Sequence, residues 1–95
     1  MAAYMIVDID VHDAKAFEQY RNMVVPTIQK YGGKYLVRGG KTEVLEGNWD
    51  PKRVVVLQFD SVEKAKQWYD SEDYRPAKKI RLGATTGNTL LVEGV

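Results

Sequence analysis

The sequence predicts an α+β sandwich, a four-stranded antiparallel sheet with its helices on one face. Three observations carry that expectation. Extended and helical patterns follow one another as strand, helix, strand, strand, helix, strand. The extended segment from Arg53 to Phe59 is apolar enough to lie inside a sheet rather than at its edge. The 95 residues, 44% of them hydrophobic and none a cysteine, leave room for one core only, so residues 1–95 are expected to form a single domain.

The first strand covers Tyr4 to Ile9, with Met5, Val7 and Ile9 alternating against Tyr4, Ile6 and Asp8. Asp13 precedes a helix over about Ala14 to Tyr31, where Phe17, Tyr20, Val24, Ile28 and Tyr31 recur at three- and four-residue spacing and Gly32-Gly33 supplies a stop. Pro26 lacks an amide donor, so a kink or a break into two short helices is expected there. Lys34 to Arg38 is the second strand. Gly39-Gly40 reads as a bend and Thr42 to Glu46 as a further extended piece, before a turn over Gly47 to Pro51.

Arg53 to Phe59 is the clearest strand. Asp60 or Ser61 caps the next helix, whose stripe is Val62, Ala65, Trp68 and Tyr69. A short helix over about Arg75 to Leu82 follows, with Pro76 in its first turn. Gly83 and Gly87 bracket the exit into a last strand, Asn88 to Glu93. This order is the ferredoxin-like β-α-β-β-α-β arrangement. With Met5, Val7, Ile9, Val55, Leu57 and Phe59 facing the helices, the other sheet face carries Tyr4, Ile6, Asp8, Val54, Val56 and Gln58. That face is too apolar to stand in water uncovered.

Composition excludes several classes. Without cysteine there is no disulfide framework and no thiol nucleophile. A net charge of +1 gives no broad basic footprint, and Val54, Val56 and Gln58 stand where an RNA-recognition sheet exposes aromatics, so nucleic acid is not an expected partner. No apolar run nears membrane-spanning length, and the stretch from Met1 to Asp8 carries no basic leader; a cytoplasmic location without membrane association is expected. His12, the single histidine, lies between Asp10 and Asp13, which reads better as a local cap than as a metal site. No metal or cofactor is expected.

The segments Tyr31-Gly32-Gly33-Lys34-Tyr35-Leu36-Val37-Arg38-Gly39-Gly40, Leu45-Glu46-Gly47, Arg53 to Phe59, Trp68 to Tyr74, Arg81 and Val92-Glu93-Gly94 together resemble the domain-of-unknown-function family numbered 1330. The resemblance implies a dimeric α+β barrel, in which two ferredoxin-like subunits set their sheets face to face. It implies no reaction. Where that family commonly has a glutamate before the strand-ending phenylalanine this chain has Gln58, and an amide cannot act as a general acid or base.

The candidate ligand-binding residues are Arg38, Asp8, Tyr20, Gln58, Tyr69 and Arg81. Arg38 is a guanidinium in a strand beside a glycine bend, suited to a carboxylate or phosphate or else to an ion pair with Asp8, Glu46 or Glu93. Asp8 is either a base raised by apolar neighbours or the partner of an arginine. Tyr20, Tyr69 and Tyr74 put phenols near the helices, as ligand contacts or as core residues with satisfied hydroxyls. Arg53 and Arg81 read either as anion partners or as surface residues, and Trp49 as a dimer contact. Two function classes follow. One is a homodimer binding a small anionic or polar-aromatic metabolite, with or without a cofactor-independent reaction; the other is a non-catalytic ligand-sensing or interaction module.

Overall fold

The computed structural model describes residues 1–95. Strand β1 (Ala3–Val11) leads into helix α1 (Ala14–Lys30), followed by β2 (Lys34–Arg38), β3 (Val54–Phe59), α2 (Val62–Tyr69), α3 (Arg75–Ala84) and β4 (Thr85–Glu93). The strands form one antiparallel sheet in the order β2-β3-β1-β4, with the helices on one face, which is the ferredoxin-like arrangement. No helix is long and apolar enough to cross a membrane.

Helix α1 begins where the Asp13 carboxylate accepts from Ala16 N at 3.1 Å. It ends in paired bonds from Gly32 N to the Gln29 carbonyl and from Gly33 N to the Ile28 carbonyl, with Gly32 at φ +76°. Only a residue without Cβ adopts that turn cheaply. The expected break at Pro26 does not occur, and α1 continues through it as one helix. Ser61, not Asp60, caps α2, accepting from Lys64 N.

Three boundaries differ from expectation. Thr42 to Glu46 is not a strand, because a β pattern needs a neighbour and the sheet ends at β2; residues 39–50 are all exposed. Helix α3 continues through Gly83, and β4 starts at Thr85, where β1 is long enough to pair with it from Val11 onward. Gly87 therefore sits inside the strand, opposite Ile9.

The core lies between the sheet and the helices, built on Met5, Val24, Ile28, Leu57, Phe59 and Trp68. Trp68 stacks on Tyr74 at 4.1 Å between ring centroids, and its indole N–H donates to Thr27 Oγ1 at 3.0 Å. Register places Tyr4 opposite Gln58, Ile6 opposite Val56 and Leu90, and Asp8 opposite Val54 on the far side of the sheet. No helix covers that side, and Leu90 is 58% exposed.

Candidate functional site

A cleft with a water-accessible volume of about 40 Å³ lies between the sheet and the helices. Alternation on β1 and β3 turns Val7, Ile9, Val55 and Leu57 toward it, and α1 contributes Phe17, Tyr20 and Arg21 from one face. Arg38 and Tyr35 enter from β2, Arg53 from just before β3, Trp68 and Tyr69 from α2, Tyr74 from the α2–α3 connection and Arg81 from α3. In a regular strand Tyr35 and Arg38 would face opposite sides. They face the same side because the register slips between Tyr35 and Val37, leaving Tyr35 opposite Leu57 and Arg38 opposite Val55.

Four arginines line this cleft and no aspartate or glutamate does. The chain's ion pairs lie elsewhere: Lys30–Asp73, Lys52–Asp50 and Arg75–Glu72. Arg38 rests on the Tyr35 ring, 4.4 Å from its centroid, and Arg53 on Phe17 at 5.4 Å. Burial and the like charges of Arg21 and Arg38 push Arg53 below the ordinary arginine range, though a guanidinium remains charged at neutral pH. Its Nε is buried without a hydrogen-bond partner. Such an atom ordinarily has one.

The deep end is different. Arg81, 7% exposed, donates from Nε to the Tyr74 hydroxyl at 3.2 Å, and Tyr74 and Tyr20 share a hydroxyl contact of 3.2 Å. Burial pushes the Tyr20 hydroxyl far above the usual tyrosine range and raises Tyr35 as well. Both stay protonated. The lining thus offers charged and neutral donors, but no carboxylate or imidazole to take up a proton at neutral pH.

Of the residues singled out from the sequence, Arg38, Tyr20, Tyr69 and Arg81 meet in the cleft. Asp8 and Gln58 do not, being on the opposite sheet face. Asp8 is neither a raised base nor an arginine's partner: it accepts from Lys52 N at 2.9 Å, Trp49 Nε1 at 2.9 Å and Arg53 N at 3.3 Å. Those bonds, the one from Lys52 foremost, lower its pKa. It anchors the loop that delivers Arg53. Arg53 itself belongs to the cleft rather than the outer surface, and Arg21 and Tyr35 join it. Arg21 was legible as a member of the α1 stripe, one turn beyond Phe17; Tyr35 was not, because its facing depends on the slip in β2.

The site and the topology define a class, that of ferredoxin-like α+β proteins, here with an arginine-lined cleft under the helices. Within it, the chain belongs to the family described as domain of unknown function DUF1330, whose model matches residues 2–95. A protein of unknown function from Rhodopseudomonas palustris is similar in structure, with a TM-score of 0.82 at 19% identity over 99% of this chain and 82% of that one. SnoaB, a cofactor-independent oxygenase from Streptomyces nogalater, aligns with a TM-score of 0.67 at 11% identity over 99% of this chain and 93% of its own. An ethD-family protein from Bacillus halodurans gives 0.50 at 15% identity, covering 100% and 99%. At these identities the likeness is one of fold. No curated protein matches the chain.

Proposed function

We propose that this protein binds a small aromatic carboxylate in the cleft, as a homodimer whose two sheets cover one another. The observation that carries the binding reading is Arg53: a buried guanidinium nitrogen without a partner, beside two further arginines and no carboxylate. Like charges gathered without counter-ions cost stability, and a bound anion removes that cost. The tyrosine and phenylalanine rings around them suit a flat apolar body. The uncovered apolar sheet face supports the dimer. A cofactor-independent reaction on the same ligand is the second reading, favoured by the buried Tyr20–Tyr74–Arg81 chain. The cytoplasm is the compartment we assign to it.

Calorimetric titration with benzoate and benzamide tests the binding. Benzoate should bind and benzamide should not. Arg53→Met should weaken benzoate by about ten- to a hundredfold, as for a lost charge-assisted hydrogen bond of about 1.5–3 kcal/mol, with a melting midpoint equal to or above that of the parent. Equal affinity for the amide, or full benzoate affinity in Arg53→Met, overturns the reading.

A further inference from the structure

The hydrogen-bonded chain at the deep end of the cleft starts at a fixed donor. A guanidinium only donates, so the Tyr74 oxygen is the acceptor of the 3.2 Å bond from Arg81 Nε. Tyr74 is 1% exposed, and the Tyr20 oxygen, 3.2 Å away, is the hydroxyl it meets. A buried hydroxyl proton goes to an acceptor when one is in reach. Either hydroxyl can donate in that contact, and with Tyr74 as the donor its buried proton is satisfied. The proton of Tyr20 is then free, and Tyr20 lines the cleft. Arg81, more than nine-tenths buried and without an ion-pair partner, stands behind this chain, so its charge polarises each hydroxyl toward the cavity.

We propose that the Tyr20 hydroxyl, polarised by Arg81 through Tyr74, is the donor to an anionic oxygen of the ligand, and that the ligand is a small hydroxyaryl carboxylate bound with its phenol ionised. The inference rests on the reading of the cleft as an anion site. The carboxylate lies among Arg21, Arg38 and Arg53, and the phenolate oxygen accepts from Tyr20. The phenol proton passes to solvent on binding, since the lining holds no base to keep it. Tyr20 is the binding residue here; Tyr74 and Arg81 are positioning residues that act through it. Burial holds Tyr20 in its protonated, donating form throughout.

The test uses 4-hydroxy-3-nitrobenzoate, whose phenolate is coloured, with benzoate as the companion ligand. Titrated against pH on the intact protein, the bound probe should ionise about one unit lower than in free solution, a roughly tenfold preference for the phenolate. Tyr20→Phe should abolish that fall. Tyr74→Phe, which keeps the ring and breaks the chain, should remove more of the fall than of the probe's affinity, and Arg81→Lys should retain part of it. An unshifted bound probe, or an undiminished shift in Tyr20→Phe, overturns the inference. If benzoate binds and the hydroxylated probe does not, the inference fails while the anion site stands. If neither binds, both fail.

Discussion

Gly39 decides where Arg53 can lie. A Cβ at this position would come 2.5 Å from the Arg53 Nη1, and φ is +71°, a conformation that costs other residues about 1–2 kcal/mol. Gly39→Ala should therefore displace the Arg53 guanidinium and lower benzoate affinity by about tenfold, the worth of one interaction with a charged partner. Gly40→Ala, where a Cβ meets nothing within 4 Å, serves as the control. Calorimetry on the two variants decides the matter, and equal affinities would sink the idea. The glycine pair was visible in the sequence as a bend. Its purpose was not, because Arg53 comes from fourteen residues further along and is brought there by the Asp8 carboxylate, itself on the other sheet face. Residue type suggested Asp8 and Gln58 as site members, although strand alternation had already set them on the face away from the helices, and the pairing register bears that facing out.

The elements were more readable than the site. Helix α1 announces itself through Asp13, its apolar spacing and the closing glycines, all local signals that survive folding. Thr42 to Glu46 has equally local β character but no strand beside it, and so remains irregular. The slip in β2 belongs to the same class of hidden facts, since it arises from how two strands align. Leu36 is the residue without a partner in that alignment, and Arg38 is already in phase with Val55. Deleting Leu36 should then leave Arg38 facing the cleft, with benzoate affinity within about threefold of the parent, below the 1.4 kcal/mol that marks tenfold. A deletion variant that folds by circular dichroism yet no longer binds benzoate would show the slip itself to be required.

For the whole molecule, the composition is misleading in one respect and instructive in another. A net charge of +1 conceals a cleft holding four arginines and no acid, because the carboxylates are distributed over the exterior. The alternation of β1 and β3 did foretell an uncovered apolar face, and Ile6, Val54, Val56, Leu90 and Val92 supply it. Sedimentation at micromolar concentration should give twice the chain mass of 10.8 kDa for the parent. Val56→Asp, on a central strand of that face, should give a folded species of single mass. A parent that sediments at 10.8 kDa would refute the dimer.

The strand order β2-β3-β1-β4 bears on how the chain is made. Divide the polypeptide in the long exposed stretch between β2 and β3, and the first half owns β1 and β2 while the second owns β3 and β4. Each of the three ladders, β1 with β3, β1 with β4 and β2 with β3, joins a strand of one half to a strand of the other. Neither half contains two neighbouring strands. As the chain leaves the ribosome, α1 can form early, but no rung of the sheet can close until β3 has emerged, and the β1–β4 ladder waits for β4. Such long-range closure makes for slow folding relative to helical chains of this size. The same interleaving means that a nick in the exposed stretch would leave two fragments held together like the fingers of clasped hands.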